Sequence, residues 1–288
     1  MKVFQTGFNY SQDGPGNRLV IHMQGCNMRC PWCANPEGLT REGVLMTDEK
    51  WLVDSLCPHG AVRQKTLDRS RCIDCQSREC ITRFRSHGIR LSCREMTVAD
   101  LFDEILDNSP LFYDGGGVTF TGGECTLQFE ELKELLILLT REGIHTAIET
   151  NGTHPRLSEL FPYLNAIIMD CKLIDSGKHF LHTGIPSERV LENIKKATCF
   201  FPSVLIRIPL IGGVNNEESD ISDFLNFFNL LEKDRFSVEI LKYHEYGKGK
   251  WRECGLEYPM GPEAHVSTTE IIRLQNRLRD AGIQVLRT

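Results

Sequence analysis

The feature that most constrains the fold is a repeated order of short apolar runs and amphipathic stretches. Strand-like runs lie at 19–23, 118–121, 146–149, 166–169, 204–208 and 238–241. Helix-like periodicity lies near 97–108, 128–142, 188–199, 217–232 and 267–281. Strand and helix in alternation predict an α/β fold, with a parallel sheet and helices outside it. Six such units fall short of the eight that close a barrel. A partial (βα)6 TIM-like barrel is the expectation.

Each strand-like run leads into a polar motif at its C-terminal end. The first leads into QGCNMRCPWCANPEG, which carries Cys26, Cys30 and Cys33. The second leads into Gly122, Gly123 and Glu124, and the third ends in Glu149, Thr150, Asn151 and Gly152. The fourth ends in Asp170, Cys171 and Lys172. The fifth carries Arg207 and turns at Gly212 and Gly213, and the sixth leads into Tyr243 and His244. In parallel α/β barrels the active site lies at that face. Any one motif alone would pass for a capped turn or a solvated charge. Six on one rim mark a site.

The spacing CxxxCxxC has its own chemistry. A four-iron cluster takes four ligands, usually cysteine thiolates. Three cysteines on one loop leave one iron open, as an open position separates catalytic from structural zinc. A zinc knuckle with a distant fourth ligand, or buried thiols, would use the same residues.

Composition narrows the class. A chain of 288 residues with 41% hydrophobic content supports a sizeable core. A net charge of −6 gives no basic footprint for nucleic acid. No apolar run is long enough to span a membrane, and the first residues lack the pattern of a signal peptide. Twelve cysteines without an export signal point to metal or redox work in a reducing cytoplasm. Seven fall in two clusters; Cys93, Cys125, Cys171, Cys199 and Cys254 are scattered and read as buried or neutral thiols.

Taken together, DGPGNR (13–18), the cysteine loop, TGGE, ETNG, DCK, HFLHTG (179–184), IRIPLIGG (206–213) and YHEYGKGKW (243–251) resemble the radical S-adenosylmethionine (SAM) superfamily. More narrowly, they resemble the activating enzymes of glycyl radical enzymes. The resemblance implies that Cys26, Cys30 and Cys33 hold a 4Fe–4S cluster whose open iron is chelated by SAM. It places Trp32 and Ala34 beside the adenine, and Gly122, Gly123 and Glu124 at the methionine part. Asp170, Lys172, Arg207 and His244 would position the carboxylate and ribose, with Glu149 and Cys171 in the same rim. Lys172 joins the three cysteines as a catalytic candidate. Glu149 with Thr150 and Asp170 is a candidate seat for a monovalent cation. Three positions depart from the family pattern: Cys125, Glu149 and Lys242.

The implied reaction is reductive cleavage of SAM to methionine and a 5′-deoxyadenosyl radical. That radical takes a hydrogen atom from a backbone glycine of a partner enzyme. A radical SAM enzyme for a small molecule and an iron–sulfur electron-transfer protein are the alternative functions. Flavodoxin or ferredoxin as electron donor, a monomeric state and a cytoplasmic location are further expectations. The candidate partner face holds Tyr10, Arg18, Lys248, Lys250 and Trp251.

Residues 39–95 interrupt the core, which is expected at 1–38 and 96–288. Relatives carry a ferredoxin-like insert with two clusters here. This chain keeps Cys57, Cys72, Cys75 and Cys80, whereas Thr47, Lys50, Val53 and Phe84 stand where the other cluster's ligands would be. One auxiliary 4Fe–4S cluster held by those four cysteines is expected. Cys93 is an alternative to Cys57, and a structural zinc site is an alternative to the cluster.

Overall fold

The computed structural model describes residues 1–73, 75–82 and 88–286; Phe84 lies outside them. Its main body is one nine-stranded sheet flanked by helices. Strand β1 (Lys2–Tyr10) pairs antiparallel with β2 (Asn17–Met23). Helix α1 (Val98–Asn108) follows the insert and opens with a capping box between Thr97 and Asp100. Then come β3 (Val118–Gly122), α2 (Phe129–Arg141), β4 (Thr146–Thr150) and β5 (Ala166–Asp170). Helices α3 (Ser176–Thr183) and α4 (Glu188–Phe200) precede β6 (Val204–Leu210) and α5 (Glu218–Phe228). The chain ends with β7 (Phe236–Lys242), α6 (Lys248–Glu253), α7 (Thr268–Asp280) and β8 (Gln284–Val285).

The sheet order is β8-β7-β6-β5-β4-β3-β2-β1, with the two-residue strand Arg94–Glu95 beyond β1. From β2 to β8 every neighbour is parallel and next in sequence. This is the winding of a barrel stopped short of closure, as the six apolar runs predict. Sequence reading misses β1, α3, α6 and β8. The first is polar on one face, and the others are too short to show a period.

Side chains alternate across each strand. Leu19, Ile21, Val118, Phe120, Ile148, Ile167, Met169, Ile206, Val238 and Ile240 join the core beneath the helices. The opposite face carries Arg18, His22, Thr119, Thr121, Glu149, Asp170, Arg207 and Glu239. The inner face of the partial barrel is therefore polar. It is bonded to itself: Arg18 Nε donates to Thr119 Oγ1 at 2.6 Å, and Thr121 Oγ1 donates to Glu149 Oε2 at 3.0 Å.

Between β2 and α1 the chain leaves the sheet. Leu45–Thr47 pairs with Ile89–Leu91, and Val62–Arg63 with Thr66–Leu67. Leu52, Leu56, Val62 and Ile89 form a separate small core. Where this segment departs and returns, Gln24 ties its stems. Gln24 Nε2 donates to the carbonyls of Glu37 (2.7 Å) and Thr40 (2.6 Å), and its Oε1 accepts from Ser92 Oγ at 3.4 Å. Strand Arg94–Glu95 then rejoins the sheet on β1. Among the described residues no helix is long and apolar enough to cross a membrane.

Candidate active site

The cysteine loop starts where β2 ends, and its backbone is fastened at both arms. Gly25 N–H donates to Gly38 O at 2.8 Å, and Cys26 N–H donates to Leu39 O at 3.1 Å. On the far side Arg29 N–H donates to Thr183 O, at the end of α3, at 2.8 Å. Gly122 and Gly123 approach from β3. A Cβ on Gly123 would stand 2.2 Å from Gly25 O, and one on Gly122, where φ is +116°, would stand 2.3 Å from Met23 N. No side chain larger than hydrogen fits this seam.

Above the seam lies a cavity of about 230 Å³. Cys26, Cys30 and Cys33 face it as free thiols, and Trp32 and Ala34 continue the same wall. Gly122 and Gly123 line another side, while Asp170, Lys172 and His244 stand at the ends of β5 and β7. Lys172 Nζ donates to Asp170 Oδ2. Burial alone would lower the Lys172 ammonium, but Asp170 and then the Cys30 thiol hold it above its ordinary value. Burial pushes the Cys26 and Cys30 thiols up to about 12, and Lys172 works against that rise in both. Burial lowers His244, whose ring stacks on Tyr246 at 4.2 Å.

Four predicted residues do not line this cavity. Glu124 is almost wholly buried behind its wall. Its Oε1 accepts from Thr126 N (3.1 Å), Thr126 Oγ1 (2.5 Å) and Thr150 Oγ1 (2.7 Å), and its Oε2 accepts from Asn151 N at 2.7 Å. Bonded through both oxygens, it fastens β3 to β4 and does not reach the cavity. Cys171 points to the core, because its neighbours Asp170 and Lys172 take the opposite side. Glu149 and Arg207 sit in the polar interior below. Arg207 Nη1 donates to Glu149 Oε1 at 2.5 Å and to Asp13 Oδ1 at 3.2 Å, and its Nε donates to Glu239 Oε2 at 2.8 Å. Burial alone would lower this guanidinium, but Glu149 and Glu239 raise it above its ordinary value. In the candidate cation seat, Glu149 pairs with Arg207 and Asp170 with Lys172.

Sequence reading missed Asn151 and Glu239. Asn151 lines the cavity and its Nδ2 donates to Asn27 Oδ1 at 2.9 Å. It belongs to the ETNG motif, where the charge of Glu149 is the stronger signal. Glu239 breaks an apolar run one residue out of step, and that was its only signal.

Two members of the candidate partner face are also corrected. Arg18 is fully buried, donating to Pro15 O at 2.7 Å and Val118 O at 3.0 Å, because its place in β2 turns it inward. Trp251 is buried and donates from Nε1 to Cys33 O at 2.9 Å. Tyr10 is exposed, and Lys248 pairs with Glu245 at 2.9 Å on the surface.

In the insert, Cys57, Cys72, Cys75 and Cys80 line a single narrow pocket of about 20 Å³. Burial, followed by the nearby Cys57 thiol, raises both Cys72 and Cys80. Cys93 lies elsewhere, with its Sγ 3.9 Å from Glu42 O and packed against Gly43. Among the described residues, no three His, Cys, Asp or Glu side chains converge tightly enough to hold a single metal ion.

The profile of the radical SAM superfamily matches residues 20–225. The chain is 31% identical to the 4-hydroxyphenylacetate decarboxylase activating enzyme of Clostridioides difficile, across 94% of this chain and 90% of that protein. It is 32% identical to the choline trimethylamine-lyase activating enzyme of Oleidesulfovibrio alaskensis, across 96% and 94%. In fold it is similar to a radical SAM methyltransferase from Sphaerobacter thermophilus, with a TM-score of 0.57 at 14% identity, over 98% of this chain and 68% of that one. With its three-cysteine loop set at the C-terminal rim of six parallel strands, the chain belongs to the radical SAM superfamily and, within it, to the glycyl radical enzyme activating enzymes.

Proposed function

We propose that the cavity is the SAM site of an activase, with Cys26, Cys30 and Cys33 as the ligands of its 4Fe–4S cluster. The observation that carries this reading is three free thiols facing one cavity beside a partly buried Lys172–Asp170 pair. Three soft donors without a fourth suit an iron–sulfur cluster with one open iron. When bound, the cluster supplies the electron that cleaves SAM to methionine and a 5′-deoxyadenosyl radical, which takes a hydrogen atom from a backbone glycine of the partner enzyme.

The chain's own residues bind and orient. A zwitterionic amino-acid end needs paired opposite charges, and Asp170 and Lys172 present them on one wall. Gly122 and Gly123 leave backbone open to close approach, and Trp32 and Ala34 offer an apolar wall for a base. Lys172 also lowers the cost of holding Cys26 and Cys30 as thiolates in a buried site. Glu124 acts as a positioning residue through Thr126, Thr150 and Asn151. The glycyl radical partner's loop is the substrate, and flavodoxin or ferredoxin the donor. The chain works as a monomer in the cytoplasm.

The reading extends to one auxiliary 4Fe–4S cluster held by Cys57, Cys72, Cys75 and Cys80 in the segment 39–95. The four thiols share one pocket, and Cys93 does not.

The test is anaerobic reconstitution with iron and sulfide, followed by SAM and a strong reductant. Wild type should form 5′-deoxyadenosine, alone or with a glycine-loop peptide, and Cys30→Ala should form none. No product from iron-loaded wild type in either condition would overturn the reading.

A further inference from the structure

In sequence the motif GKGKW reads as surface, yet in the fold it grips the cysteine loop. Gly247 caps α6, and a Cβ there would stand 2.8 Å from both Ala34 Cα and Cys33 O. Lys250 Nζ reaches Asn35 Oδ1 at 2.8 Å and Glu37 Oε1 at 2.6 Å. Trp251 Nε1 donates to Cys33 O. Positions 247, 250 and 251 are spaced i, i+3 and i+4, so a single helix face presents all three. That face meets residues 33–37, the arm that carries the third cysteine and Ala34. Glu37 is buried, and its second carboxylate oxygen has no partner. Lys250 is therefore the cation that compensates this buried charge.

The other end of the same helix is fastened to the insert. Glu253 O accepts from Arg69 Nη2 at 2.8 Å and from Thr47 Oγ1 at 3.3 Å, and Glu253 Oε2 accepts from Arg90 Nη2 at 2.9 Å. Arg69 begins the short turn Arg69–Cys72, which ends on a cysteine of the second group. Gly255 makes room for it: a Cβ at that position would stand 2.0 Å from Arg69 Nε.

We infer that α6 is a strut between the insert and the cysteine loop, in which Gly247, Lys250 and Trp251 are positioning residues for residues 33–37 and Arg69 is the anchor on the insert. Through it, the order of the turn that carries Cys72 bears on the placement of Cys33. The inference rests on reading the cavity as the SAM site.

The experiment uses the full chain with four substitutions: Trp251→Phe, Lys250→Met, Lys250→Arg and Arg69→Ala. Two properties are measured. Amide exchange over residues 33–39 is followed in the metal-free chain, and SAM affinity is followed in the iron-loaded chain by the change in its electron paramagnetic resonance signal. Trp251→Phe and Lys250→Met should speed exchange over 33–39. They should weaken SAM binding about tenfold, the size of effect seen for outer-shell partners, while iron content stays at the wild-type level. Lys250→Arg should restore both properties, which a mere loss of packing would not allow. Arg69→Ala should move exchange over 33–39 in the same direction by less. Wild-type exchange and affinity in both Trp251→Phe and Lys250→Met would overturn the inference, and an Arg69→Ala effect confined to the insert would remove the anchor. If Trp251→Phe fails to load iron, the two Lys250 variants decide. Iron-loaded wild type that binds no SAM would sink the reading of the cavity instead, and the exchange data would still judge the strut.

Discussion

Cys26, Cys30 and Cys33 stand on a loop bonded to β1, α3 and its own far arm, whereas Cys57, Cys72, Cys75 and Cys80 stand on a segment with a four-residue core. The first group faces a cavity of about 230 Å³, and the second lines one of about 20 Å³. Burial lifts Cys26 and Cys30 to about 12; Cys30 is buried, and Cys26 is partly covered, as the insert cysteines are. The first loop is held by hydrogen bonds to the barrel's own backbone. Two-stranded sheets are marginal by themselves, and small segments of this kind commonly take their stability from a bound metal group. A bound group would therefore be a guest in the first site and part of the fold in the second.

The largest expected contrast is chemical. In metal-free protein at pH 8, a thiol near 12 carries roughly a thousandfold less thiolate than an ordinary one. Iodoacetamide should label exposed Cys199 first, then Cys72 and Cys80, and Cys26 and Cys30 only later, with the lag of that pair shrinking as pH rises. Peptide mass spectrometry reads the order, and early labelling of Cys30 would break the comparison. Next in size is the response to metal removal. Stripping iron from reconstituted protein should raise amide exchange over residues 54–73 while leaving β3 to β7 protected. Equal loss in both would mean that the barrel, too, leans on its cluster.

Substitution sharpens the contrast further. Cys57→Ala should lower iron by one cluster's content, and Cys93→Ala should leave it unchanged by colorimetric assay. The reverse result would move the second site toward Cys93. The smallest effect belongs to the seam between the two regions. Arg90 and Glu253 form a pair in which both side chains are largely exposed, and such pairs contribute about 0–1 kcal/mol. Arg90→Ala should shift the urea midpoint by no more than that.

The order of strands was legible because apolar runs of four or five residues recur between helical periods, and a parallel sheet is the usual way to bury them. The cysteine loop was legible because its chemistry lies in spacing along a few residues. The interior network was not. Arg207, Glu149 and Glu239 come from separate stretches and meet only through the register of β4 to β7, and Asp13 reaches them from the turn between β1 and β2. Glu124 and Trp251 were misplaced for a related reason. A carboxylate in a glycine-rich turn and an aromatic in a basic stretch look available to a ligand or partner, and only the fold reveals that their hydrogen bonds are already taken.

The tie made by Gln24 and Ser92 has a consequence for descent. The chain leaves and re-enters the sheet at points held together by their own hydrogen bonds, so the length between them is nearly free to vary. Doubling a loop whose ends are already pinned costs only about 0.6 kcal/mol, and no barrel strand changes register when residues are gained or lost there. A lineage with this junction can trade a long cysteine-rich segment for a short one, or the reverse, in a single deletion or insertion, while the barrel strands are inherited intact and only the tie through α6 has to be remade.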